Sequence, residues 1–260
     1  MITSTHNPTV QWVRKLQQQA RLRASEGVFV IEGVRLVEDA LQAGWQPALV
    51  LYTPDLSSRG QAVLQRISPS SVEQVSPAVM NSVSDTQSPQ GILAVIRQKS
   101  LPLPPSLDFV LLLDALRDPG NLGTILRTAA AAGVQGVILA PGCADPFAPK
   151  VLRAAMGAHF RLPIVALEWE DIRSCFRSGI IQPGMRIYLS DAQGDIPYTQ
   201  ADFCLPTALI IGGEAEGAGM DASHLAEQRI FIPMAAGVES LNAAIAAAIL
   251  MFEVVRQRSQ

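Results

Sequence analysis

Five consecutive apolar residues, Phe109 to Leu113 (FVLLL), lie between Asp108 and Asp114. A strand with one face in water alternates apolar and polar residues, so a short unbroken run predicts burial on both faces, as inside a parallel sheet. Parallel neighbours are joined by crossovers, which are usually helices. The residues downstream supply them. The loop DALRDPGN leads into a helix predicted at Leu122 to Ala132 and stopped by Gly133. A strand at Gly136 to Ala140 and a helix at Pro149 to Met156 follow. Strands are expected near Arg186 to Ser190, Ala208 to Ile211 and Arg229 to Ile232, and a last helix from Leu241 to Gln257. This alternation predicts an α/β domain with a mostly parallel sheet.

Upstream, Ser100 to Ser106 (SLPLPPS) places three prolines in four positions, which stops helix and central strand alike. Residues 1–100 therefore form a first domain, 101–107 a proline-rich linker and 108–260 a second domain. In the first, Pro8 to Arg23 reads as one helix with Val10, Val13 and Leu16 inward, followed by a strand at Val28 to Ile31. Glu32 to Ala43 is helical, with strands at Ala48 to Tyr52 and Gly91 to Arg97 and a helix near Gly60 to Ile67. This is a small α/β domain.

Hydrophobic residues make up 48% of the 260 and charged residues 17%, too apolar and too weakly charged for a disordered chain. The longest nearly uninterrupted apolar stretch, Ala243 to Phe252, is about half of the roughly 20 residues needed to cross a bilayer, and the N-terminus lacks a signal pattern. A cytoplasmic protein without membrane contact is expected. Three scattered cysteines and three scattered histidines lack metal-ligand spacing, so no metal is expected. The net charge of −3 argues against non-specific coating of nucleic acid, but its distribution is uneven. Residues 1–25 hold Arg14, Lys15, Arg21 and Arg23 and no acid, which suits either a local phosphate-binding surface or an ordinary solvated helix face.

Three segments follow apolar strands of the second domain, where ligands of open α/β sheets bind. In DPGNLGTILRT, Leu122, Ile125, Leu126 and Ala129 form one helical stripe, while Asn121, Thr124, Arg127 and Thr128 project elsewhere. IGGEAEGAG brings four glycines around Glu214 and Glu216, leaving main-chain groups open to a cofactor. It follows a late strand and matches neither a dinucleotide fingerprint nor a phosphate-binding loop. IPMAAGVESLN precedes an alanine-rich helix that Ser240 or Asn242 caps. Each segment singly also has a bland reading: a capped helix, a turn-rich loop, a helix cap.

In this order and spacing the three segments resemble motifs 1, 2 and 3 of the SpoU (TrmH) family of RNA ribose 2′-O-methyltransferases, in the SPOUT superfamily. Motif 1 is matched by Asn121, Gly123, Ile125, Arg127 and Thr128, and motif 2 by Gly212, Glu214 and Gly217. Motif 3 is matched by Ile232, Pro233, Met234, Glu239, Ser240, Leu241 and Asn242. RAAMGAHFRLPI resembles the family's intervening stretch, with Ala155 where many members have serine. FVIEGVRLVEDALQAG resembles the substrate-binding domain of many members, which is similar to a small α/β fold of RNA-binding ribosomal proteins.

The resemblance implies a SPOUT domain with a deep C-terminal trefoil knot, a homodimer through that domain, and an rRNA or tRNA substrate. S-adenosylmethionine is the implied cofactor, held by Gly212, Gly213, Glu214, Gly217, Ile232, Met234, Ser240, Leu241 and Asn242. Arg127 is the implied catalytic centre, with Asn121, Glu214, Ser240 and Asn242 around it. The implied RNA-binding set is Arg14, Lys15, Arg21, Arg23 and Arg35. A guanidinium has a pKa above about 12, so an electrostatic role for such an arginine is easier to derive than proton abstraction. Two other classes stay open: a classical dinucleotide or Rossmann methyltransferase enzyme, which needs a glycine-rich turn after Leu113, and a non-catalytic RNA-binding or ribosome-associated protein that keeps the fold.

Overall fold

The computed structural model describes residues 1–104, 106–177, 184–214 and 217–259. Pro105 of the linker and Glu216 of the glycine loop lie outside the described residues. The chain divides into two compact units, Met1–Ser100 with Asp145–Phe160, and Leu101–Ala144 with Arg161–Gln260.

In the first unit α1 (Pro8–Gln18) and α2 (Ala20–Glu26) lead into β1 (Val28–Glu32), α3 (Val34–Gln42), β2 (Pro47–Tyr52) and α4 (Ser58–Leu64). Then come β3 (Val72–Gln74), α5 (Pro77–Val83) and β4 (Ile92–Arg97). The sheet order is β1-β4-β2-β3, antiparallel except for the parallel β2/β3 pair. Val10, Val13 and Leu16 of α1 pack with Val28, Val30, Leu93 and Val95 of the sheet, as the helical spacing requires.

The single helix expected from Pro8 to Arg23 is two. Gln19 is extended (φ −117°, ψ 104°). The break returns Arg23 toward the end of α1, where its guanidinium donates to the carbonyls of Leu16 and Gln17 and pairs with Asp145. A cation on otherwise unpaired carbonyls is a favourable helix end.

The second unit begins with β5 (Phe109–Leu113), α6 (Pro119–Ala131) and β6 (Gly136–Leu139). The chain then supplies α7 (Pro149–Ala155) to the first unit, where the Phe147 and Phe160 rings lie 5.0 and 6.5 Å from Phe29. Back in the second unit follow β7 (Ile164–Ala166), α8 (Trp169–Arg177), β8 (Arg186–Ser190), β9 (Ile196–Pro197) and β10 (Thr207–Ile211). Then come α9 (Met220–Leu225), β11 (Gln228–Phe231) and α10 (Ala243–Arg258). The sheet order is β7-β6-β5-β10-β8-β11-β9, and every pairing is parallel. All five residues of β5 are buried, as their pattern predicts. α10 packs against α6 and β10.

Helix α6 starts three residues earlier than expected, because Asp118 accepts from the Asn121 N–H (2.8 Å) and Pro119 occupies the first helical position. Helix α10 starts at Ala243, with Asn242 and not Ser240 as its cap. No described helix is long and apolar enough to cross a membrane.

Candidate active site

Because β5, β10, β8 and β11 are parallel neighbours, their carboxyl ends share one edge of the sheet. The segments after β5, β10 and β11 leave from that edge. At the end of β5 the buried Asp114 accepts from the Gly219 N–H (2.7 Å), and Ala115 takes a positive φ of 51°. Asp114 thereby ties the first segment to the second, a role the sequence reading missed although a carboxylate ending a buried strand was visible. Cys143 is half-buried nearby; its thiol donates to the Leu113 carbonyl and accepts from the Leu116 N–H. Burial pushes its pKa up, which suits a protonated donor.

In the second segment, Gly213 and Gly217 exchange two main-chain hydrogen bonds of 3.1 Å. A side chain on Gly213 would place its Cβ 2.5 Å from the Ala115 carbonyl oxygen, and one on Gly212 would meet the main chain of Gly217 at the same distance. Neither position has room for any other residue.

Three polar side chains from the three segments meet. The Asn242 Oδ1 accepts from the N–H groups of Ala244 (2.9 Å) and Ile245 (3.3 Å), which turns its Nδ2 toward the Asn121 Oδ1 at 2.9 Å. Asn121 then presents its own Nδ2 to Glu214 Oε1 at 2.8 Å. The thread is directional and ends on an acceptor. Desolvation raises the Glu214 pKa, but the Asn121 amide and the N–H groups of Glu214, Arg117 and Asp118 outweigh it and hold the carboxyl below the usual range.

The third segment, 232–242, holds Ile232, Met234 and Leu241 half-buried and Ser240 exposed. Its one internal main-chain hydrogen bond among the described residues runs from the Val238 N–H to the Ala235 carbonyl (3.2 Å). The Asn242 carbonyl accepts from the Ala246 N–H (3.0 Å), and the remaining peptide groups have no main-chain partner among the described residues. Arg127 is exposed on α6, about 9 Å along the axis from Asn121. Among the described residues it has no hydrogen-bond or ion-pair partner, so it is not part of the asparagine thread.

The basic set belongs to the first unit. Lys15, Arg21 and Arg35 are exposed, and Arg14 is half-buried with its Nε on the Ser82 carbonyl (2.9 Å). Arg23 corrects the expectation: it is 4% exposed, and its guanidinium is taken up by Asp145 and two carbonyls, leaving nothing for a phosphate.

Residues 108–252 match the SpoU rRNA Methylase family, and residues 7–94 match the MRM3-like substrate binding domain. The chain is 34% identical to the 23S rRNA (guanosine(2553)-2′-O)-methyltransferase RlmP of Bacillus subtilis, over 97% of this chain and 98% of that one. It is 32% identical to the 23S rRNA (uridine(2479)-2′-O)-methyltransferase of Streptomyces viridochromogenes, over 99% and 92%. The crystal structure of the SpoU methyltransferase AviRb from Streptomyces viridochromogenes, in complex with AdoMet, superposes with a TM-score of 0.90 at 30% identity, covering 98% of this chain and 99% of that one.

Proposed function

The chain belongs to the SpoU rRNA methylase family, and from that premise we propose that it methylates a ribose 2′-hydroxyl of ribosomal RNA with S-adenosylmethionine as cofactor. The observation that carries this reading is the thread from Asn242 through Asn121 to Glu214, which joins residues 93 and 121 positions apart in sequence.

The residues fit the cofactor. Gly212 and Gly213 let the glycine loop close against Ala115 and Gly217, the 232–242 segment has peptide groups without a main-chain partner among the described residues, and Ile232, Met234 and Leu241 supply apolar surface. When bound, S-adenosylmethionine supplies a methyl group already made electrophilic by its sulfonium centre. The protein's tasks are alignment of the hydroxyl and management of its proton. Glu214, kept ionised, orients Asn121 and offers an acceptor near the glycine loop. Arg127, exposed and without a partner among the described residues, serves as the cation that holds an RNA phosphate and stabilises negative charge developing on the ribose oxygen. Ser240 and Gly217 complete the cofactor set.

Two features of the family are part of the proposal. The path of the chain from β10 to β11 and back through α10 onto α6 and β10 supports a C-terminal trefoil knot, a known exception to the rule against threaded chains. Ile245 and Phe252 are about half exposed on α10, with Ile249 between them on the same stripe, and this supports a two-fold interface between copies. Residues 1–100 act as the RNA-binding part, residues 101–107 as a linker and residues 108–260 as the methyltransferase part, except that Asp145–Phe160, expected within the latter, packs with the first unit.

The decisive experiment is to map 2′-O-methyl positions in total RNA with and without the gene. One ribosomal position should lose its methyl group and regain it when the purified protein and S-adenosylmethionine are added. An unchanged ribosomal map with a lost tRNA methyl would redirect the substrate; an unchanged map throughout would overturn the enzyme reading.

A further inference from the structure

A groove of about 610 Å³ opens in the first unit, lined among others by Val34, Arg35, Asp55, Arg59, Met80 and Asn81, with Pro77, Pro89 and Gln90 on its walls. We propose that it receives one unpaired nucleotide of the RNA substrate, with Arg35 on its phosphate and Asp55 and Asn81 on the edge of its base. This rests on the methyltransferase reading above.

The walls are built in advance. The Glu32 carboxylate accepts from the Ser84 hydroxyl (2.6 Å), the Thr86 hydroxyl (2.7 Å) and the Asp85 N–H (3.1 Å), pinning the loop that carries Pro89 and Gln90. Gln90 Oε1 accepts from the Val34 N–H at 3.0 Å, so that loop is also tied to the start of α3. A site whose shape exists before binding loses less entropy when filled.

Charge then selects the occupant. Arg59 is engaged by Glu38 (Nε to Oε2, 2.9 Å), whereas Arg35 is exposed and has no partner among the described residues. One free cation suits one phosphate and not the backbone of a duplex. Asp55 is exposed and equally unpartnered, and a carboxylate there repels phosphate. It must face another part of the ligand, and the hydrogen-bond donors of a nucleotide are the amino and imino groups of its base and its ribose hydroxyls. Asn81, without a partner among the described residues, offers one donor pair and one acceptor for the same edge. Pro77, exposed, and Pro89, half-buried, give an apolar surface for the face of the base, backed by the buried Val34 and Met80. The volume falls within the roughly 300 to 1,000 Å³ of small-ligand sites, and reading splayed-out bases is the usual mode of sequence-specific RNA recognition. A carboxylate accepts from the N4 amino group of cytosine and opposes the O4 acceptor of uracil, so the groove favours an amino-bearing base.

The test is fluorescence anisotropy of the full chain with labelled single-stranded RNA dodecamers, rC12 and rU12. The wild-type chain is expected to bind rC12 at least fivefold more tightly. Asp55→Ala should bring the two affinities together, and Arg35→Ala should weaken both at least fivefold while lowering the salt slope by about 0.7. Both positions are exposed, and an unchanged melting temperature confirms that the variants fold. Equal affinity of the wild-type chain for the two oligomers, or unchanged binding by Arg35→Ala, overturns the proposal. If the wild-type chain separates the oligomers yet transfers no methyl group to ribosomal RNA, the groove stands and the methyltransferase reading fails.

Discussion

Asn121 is the hinge of the polar thread, because it alone touches both partners. Asn121→Ala leaves the Glu214 carboxylate and the Asn242 amide short of a hydrogen bond, at about 1 to 2 kcal/mol in stability. Calorimetry should show weaker S-adenosylmethionine binding as well, since the loop loses its tether; unchanged affinity would remove the thread from the cofactor site. Arg127, outside the thread, should behave in the opposite way. Arg127→Ala should lose methyl transfer and keep cofactor affinity, and Arg127→Lys should retain measurable turnover as a point charge on phosphate. Full turnover by Arg127→Ala on ribosomal RNA would return that residue to a plain helix surface. His159 carries a prediction of another kind. It is buried, its Nε2 donates to the Pro146 carbonyl (2.7 Å), and its Nδ1 has no partner among the described residues. Burial lowers its pKa from 6.5 to about 4. The unfolded chain therefore takes up the proton first, so stability is full above pH 6.5 and falls as pH drops toward 4, by about 3 kcal/mol in all. Urea titrations at pH 7 and pH 4.5 should show this loss, and His159→Phe should remove its share of the pH dependence.

Helices α1 and α2 show how little a periodic pattern says about continuity. The apolar positions of α1 were legible from Val10, Val13 and Leu16, but the break at Gln19 was not, nor the pairing of Arg23 beyond it with Asp145, 122 residues away. Two classes of variant separate the consequences. Arg23→Ala leaves the partly buried Asp145 carboxylate without its cation and two carbonyls without their donor, and should destabilise the chain by about 3 kcal/mol. Lys15→Ala with Arg21→Ala should leave the melting temperature unchanged and flatten the salt dependence of RNA binding, because both side chains are exposed. If the Arg23 variant instead melts like wild type and changes only the salt slope, its place in the interior is refuted. Helix α10 has the converse ambiguity. Its sequence is apolar around much of its circumference, and the structure sorts it into a buried row, Ala244, Ala247, Leu250, Met251 and Val254, and an exposed pair, Ile245 and Phe252. Phe252→Glu should convert a dimer to monomers in light scattering by burying an unpaired charge at the interface; a wild-type monomer at micromolar concentration would end the dimer proposal.

At the scale of the molecule both units are discontinuous in sequence: Asp145–Phe160 lies within the second unit's residues and packs with the first. A fragment of residues 108–260 would leave Val151, Leu152 and Phe160 without their partners, so it should bind a hydrophobic dye and self-associate where the full chain does not. A fragment that melts cooperatively and stays monodisperse would contradict this. The sequence by itself determined the all-apolar strands, the parallel sheet they require and the three segments that leave its carboxyl edge. Those depend on local periodicity and on the rule that parallel strands need crossovers. The tertiary structure alone decided the strand order β5-β10-β8-β11, the passage of residues 145–160 into the first unit, the burial of Arg23, and the meeting of Asn242, Asn121 and Glu214. A period of two or 3.6 residues reports which face of an element is buried but not what buries it, and a hydrogen bond between residues about a hundred positions apart leaves no periodic trace in either partner's own segment.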